Sequence, residues 1–75
     1  MFKMSGVDLL SKLSFTAFCI EKYADKKMMH SNEVFKLFEK NGILEMLDTD
    51  YELLHSFGFE YIFRDIDKII YGENV

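Results

Sequence analysis

His55 is the residue whose type and surroundings could most readily do chemistry. It lies in Tyr51-Glu52-Leu53-Leu54-His55-Ser56-Phe57-Gly58, one helical turn after Tyr51 and on the same face. Three roles suit it. Paired with Asp65 or Asp67 it could move protons in a small acid–base enzyme, which requires those side chains to converge in a cleft. Near a helix C-terminus its ring would be held by the dipole and by free carbonyls. With Tyr51, Phe57 and Tyr61 it would form part of an aromatic recognition patch.

Other chemistry has weaker support in the residues. His30, His55 and Cys19 lack zinc-ligand spacing. Asp48-Thr49-Asp50-Tyr51-Glu52 opens like a calcium loop, but Leu53 replaces the glycine at the sixth loop position and Phe59 replaces the final glutamate. The segment therefore reads as helix capping. Cys19 sits between Phe18 and Ile20, a setting where cysteine is inert core material. The four glycines are isolated, so there is no phosphate-cradling loop. A chain this small also leaves little room for an enclosed active site of about 300 Å³ or more. The expectation is a non-enzyme without metal or cofactor.

The elements that must position these residues are helices. The chain has 75 residues and no proline, which sets one domain as the expectation, with residues 1–5 and 72–75 as flexible ends. Ser5 followed by Asp8 predicts a cap for a first helix over residues 6–27. Its apolar stripe would be Leu9, Leu10, Leu13, Ala17, Ile20 and Ala24. Ser31 predicts the N-cap of a second helix ending at Lys40, with Val34, Leu37 and Phe38 buried and Asn41-Gly42 as the stop. A short helix over residues 43–47 follows. Asp48 to Asp50 would cap the next one, residues 51–57, which Gly58 would stop. The last helix runs over residues 59–71, with a stripe of Phe59, Ile62, Ile66, Ile69 and Ile70 and a stop at Gly72. Nothing alternates with period two, so the expected class is all-α, a small orthogonal bundle of four to five helices.

Phe15 and Phe18 do not fit the first stripe. At 100° per residue they fall on the opposite side, near Lys22. Two explanations remain: a central helix wrapped on both sides, or an apolar docking face.

Eight Phe, four Tyr and five Met supply ample core material for a globular chain. A single cysteine excludes an intramolecular disulfide and, without a secretory signal, suggests the cytoplasm. No apolar run approaches the roughly 20 residues of a membrane helix. The net charge of −4 is uneven, at +2 over residues 1–40 and −6 over residues 41–75. That distribution disfavours nucleic acid and favours a protein partner with a basic surface.

Several segments follow one another in a recognisable order. They are Phe15-Thr16-Ala17-Phe18-Cys19-Ile20-Glu21-Lys22-Tyr23, Glu33-Val34-Phe35-Lys36-Leu37-Phe38, Tyr51-x-x-Leu54-His55-x-x-Gly58 and Tyr61-Ile62-x-x-Asp65-Ile66. Together, over roughly residues 13–71, the chain resembles the small bacterial domain-of-unknown-function 3791 family. The resemblance implies a small helical protein. It also implies gene neighbours that resemble ADP-ribosyltransferases, and hence an antitoxin-like or accessory role. Ser56-Phe57 departs from the more polar residues that relatives carry after the histidine, which bears on partner specificity.

The leading expectation is thus a protein-binding module whose anchors are Phe15, Phe18, Tyr51, His55, Phe57 and Tyr61. The alternative is a helix-turn-helix-like nucleic-acid-binding regulator, with Lys22, Lys26, Lys27, Lys36 and Lys40 as its basic face. A homodimer is a further candidate assembly, because aromatics outnumber what so small a core needs.

Overall fold

The computed structural model describes residues 4–72, and side chains over residues 10–72. Five helices follow in order: α1 (Met4–Lys27), α2 (Ser31–Lys40), α3 (Ile43–Thr49), α4 (Tyr51–Leu54) and α5 (Phe59–Tyr71). The described residues contain no strand. The all-α bundle expected from the sequence is therefore what forms. No described helix is long and apolar enough to cross a membrane.

Every helix contributes to one core. Cys19, Tyr23 and Ala24 come from α1, Val34 and Phe38 from α2, and Ile43 and Leu47 from α3. Leu54 enters from α4, and Ile62, Phe63 and Ile66 from α5. Tyr23 is central. Its ring packs on Phe38 at 5.2 Å and edge-on against Phe63 at 5.4 Å. Its hydroxyl donates to Asp67 Oδ1 at 2.6 Å, and Lys27 Nζ reaches Asp67 Oδ2 at 3.2 Å. This polar tie satisfies the buried phenol and fixes the C-terminal half of α1 against α5.

The buried face of α1 is not the one the leucine spacing indicates. Leu10 is 67% exposed and Leu13 59%, and Ala17 is exposed too. The core takes Cys19 and Tyr23 instead, a face turned roughly 90° round the helix. Among the described side chains of the expected stripe, which exclude Leu9, only Ile20 and Ala24 pack against the core. The spacing misleads because the apolar residues of α1 cover most of its circumference, so periodicity alone cannot choose the inner face. In α5 the correction is smaller: Phe63 is buried, and Ile69 is 43% exposed.

The helix ends also differ from expectation. α1 already includes Met4 and Ser5, so Ser5 is not its N-cap; residues 1–3 and 73–75 of the expected flexible ends lie outside the described residues. Its C-terminus is closed by Met28, at φ +59. Met29 N–H donates to Ala24 O at 2.8 Å and Met28 N–H to Asp25 O at 3.3 Å, the paired bonds of a Schellman motif. Glycine usually takes this left-handed position, so a methionine there leaves no sequence signal. The N-cap of α2 is His30, whose N–H donates to Glu33 Oε1 at 3.2 Å, and Ser31 Oγ donates to Glu21 Oε2 at 2.9 Å. Gly42, at φ +73, makes the expected turn after α2.

The region between α3 and α5 is the least regular. Asp50 lies between α3 and α4, and no side-chain hydrogen bond caps α4. Its backbone carries the chain through almost as a continued helix, with Asp50 N–H on Met46 O and Leu54 N–H on Asp50 O, both at 2.8 Å. α4 stops at Leu54, short of the expected 57. Gly58 does not stop it: it is extended at φ −77 and is the N-cap of α5.

Candidate functional site

An open groove runs along the Phe15–Phe18 side of α1, which meets the leucine side at Leu10. One wall is the middle of α1, with Leu10, Phe15 and Phe18; the other is α4 and the start of α5, with Tyr51, His55 and Phe57. Its volume is about 600 Å³. A chain this short can hold that volume because the site is open to solvent and needs no enclosing shell. Five of the six anchor candidates line it. The sixth, Tyr61, stands at the edge, its ring 4.5 Å from that of Phe57.

Aromatic contacts build the walls. Phe15 meets Tyr51 edge-on at 5.4 Å, and Phe18 meets Phe59 edge-on at 5.8 Å. Phe59 in turn stacks on the buried Phe63 at 5.5 Å, linking the groove to the core. The two phenylalanines of α1 thus have different fates. Phe15 packs partly into the core, whereas Phe18 remains 57% exposed. Leu10 and Phe59 also line the groove; the sequence assigned both to core stripes, and their uninterrupted apolar spacing gave no sign of a second surface.

His55 closes the end of α4. Its ring stacks on Tyr51 at 4.6 Å with planes 10° apart. Nδ1 lies 3.0 Å from Tyr51 O and 3.1 Å from Glu52 O. Both partners are acceptors, so Nδ1 carries the proton they share. Ser56 Oγ donates to Leu53 O at 2.7 Å, satisfying another terminal carbonyl.

Asp67 is engaged by Tyr23 and Lys27, and among the described residues no hydrogen bond joins His55 to Asp65 or Asp67. No three His, Cys, Asp or Glu side chains gather among the described residues as a metal ion would require. Burial pushes the Cys19 thiol up to about 12, which removes the thiolate that nucleophilic chemistry needs. Three lysines of α1 lie over aromatic rings: Lys22, exposed, is 5.9 Å from the Phe18 ring, Lys26, also exposed, 5.9 Å from Phe63, and Lys27 is 5.5 Å from Tyr23 and 5.6 Å from Tyr71.

Charge divides the groove from the rest of the surface. Residues 41–63 contain Glu45, Asp48, Asp50, Glu52 and Glu60 and neither lysine nor arginine. Asp50, Glu52 and Glu60 are exposed, next in the chain to the lining residues Tyr51 and Phe59. The single charge on α1 between residues 10 and 18 is Lys12, which lies 3.8 Å from Asp48.

No curated protein and no solved structure matches the chain. A family model described as "Protein of unknown function (DUF3791)" matches residues 14–72, a span that includes the groove from Ser14 onward and every anchor candidate. Over that span, and so over most of its length, the chain belongs to the DUF3791 family.

Proposed function

We propose that this chain is a protein-binding module and that the groove between α1 and the α4–α5 segment is its docking surface. The observation that carries this reading is the set of apolar side chains left uncovered in one place: Leu10, Phe18 and Phe57 are exposed along a single concave strip. Covering a phenylalanine fully is worth about 1.5–3 kcal/mol, so such a strip is costly to leave in water and suits a partner that fills it. Aromatic anchors in a concave centre with charges at the rim are the usual composition of a binding hot spot.

The family resemblance adds a candidate partner, an ADP-ribosyltransferase-like protein encoded nearby, toward which the chain would act as antitoxin or accessory subunit. The test is co-purification from native lysate with the wild type and with Phe18→Asp and Phe57→Asp, each checked for an unchanged melt. A stoichiometric protein retained by the wild type and lost from both variants supports the docking surface. A protein held equally by all three, or nucleic acid held in its place, contradicts it.

A further inference from the structure

We propose that the occupant of the groove is a basic amphipathic helix from a different protein. This rests on the reading of the groove as a protein-docking surface and adds the chemistry of what docks.

Shape points to a helix. One wall is α1, the other is α4, the 55–58 connection and the start of α5; the described residues contain no strand, so no sheet edge is available to pair with an extended segment. An occupant must satisfy its own backbone groups, which a helix does internally. From Leu10 to Phe18 the strip on α1 covers eight residue steps, about 12 Å at 1.5 Å per residue. Anchors at i, i+4 and i+7 of a second helix span about 10.5 Å by the same rise, so three apolar side chains fit the strip.

Charge points to a basic helix. Exposed Asp50, Glu52 and Glu60 adjoin the lining residues Tyr51 and Phe59 in the chain, and no lysine or arginine occurs between residues 41 and 63, the next being Arg64. Lys12 is already beside Asp48, and Lys22 lies over Phe18. Lysines or arginines flanking the anchors would meet these carboxylates, speeding encounter and fixing orientation.

The same bookkeeping selects against a second copy of the chain. Its basic stretch, Lys22 to Lys27, sits on the part of α1 whose apolar residues, Tyr23 and Ala24, are buried. The other helices with free apolar side chains are not basic: α2 carries Glu33 and Glu39 against Lys36 and Lys40, and α5 carries three acids against Arg64 and Lys68. α1 alone combines an uncovered apolar face, Leu10–Leu13–Ala17, with a positive balance of charge, but the lysine beside that face, Lys12, already lies 3.8 Å from Asp48.

Two synthetic 18-residue helical peptides test the inference, one of leucine and lysine and one with every lysine replaced by glutamate, the leucines kept at i, i+3, i+4 and i+7 spacing. Each is titrated into the isotope-labelled full chain while amide shifts and affinity are recorded, and the mass of the protein alone is measured against concentration. The expected result is that the lysine peptide shifts amides of residues 10–18 and 51–60 and binds about tenfold or more tightly than the glutamate peptide. Its affinity should fall about tenfold in Glu52→Lys/Glu60→Lys and again in Phe18→Ala. Equal binding of both peptides at the groove overturns the basic helix while leaving the groove a docking surface. So does a homodimer whose dissociation on dilution shifts the groove amides. If neither peptide moves a groove amide and the chain is monomeric, the inference and the docking surface both fail.

Discussion

Tyr23 joins two rings, a carboxylate and a lysine from inside the core, and its titration makes the fold sensitive to alkali. Burial first, then the hydrogen bond and negative charge of Asp67, hold its phenol well above the ordinary value. Cys19 is raised in the same direction, from 9.0 to about 12, by burial. A group with a raised folded value stabilises the fold fully below its unfolded value and loses that contribution as pH climbs toward the folded one. The urea midpoint should therefore hold steady to about pH 9 and then decline, thiol first and phenol above about pH 10. Cys19→Ala and Tyr23→Phe should each flatten part of that decline, and Tyr23→Phe should cost about 1 kcal/mol at neutral pH for the lost hydrogen bond. Met28 offers the opposite case. It is 92% exposed and held at φ +59, so its side chain contributes little while its backbone is strained. Met28→Gly is expected to stabilise the protein by roughly 0.5–1 kcal/mol, read as a higher urea midpoint with unchanged slope.

At the scale of the element, α1 has two apolar faces and uses them differently. The Cys19–Tyr23 face builds the core; the Leu10–Leu13–Ala17 face is exposed, and Leu10 at its edge lines the groove with Phe18. Leu13→Lys should thus change stability by less than about 0.5 kcal/mol, whereas Ile66→Ala, at a fully buried position, should cost about 2–5 kcal/mol. Equal losses in the two variants, measured by equilibrium denaturation, would return Leu13 to the core. The same helix shows what the sequence could convey. The five elements, the turn at Gly42 and both ends of α5 were legible because polar interruptions and glycines mark them. The inner face of α1 was not, since leucine and phenylalanine occupy nearly all sides and tertiary packing makes the choice. The Schellman stop at Met28 and the early end of α4 at Leu54 were hidden for a different reason: each depends on backbone geometry that no characteristic residue announces.

For the molecule as a whole, the five helices close one small core and leave a second apolar surface at its side. Phe59, stacked on Phe63, belongs to both. The candidate anchors were recognisable by type, as aromatics and a histidine in excess of core needs. Their convergence was not, because Phe15 and Phe18 lie more than thirty residues from Tyr51, His55 and Phe57 in the chain and meet only through the packing of α1 beside α4. In the proposed docking, the acidity of residues 41–63 would set the sign of the partner and the uncovered phenylalanines would anchor it. The measurement that tests this account most directly is a hydrogen-exchange footprint of the chain free and in the complex it forms in its native lysate. The account predicts amide exchange slowed about tenfold or more over residues 10–18 and 55–60, with α2 and α3 unchanged. Protection confined to α2 and α3, with the groove exchanging as in the free chain, would contradict it.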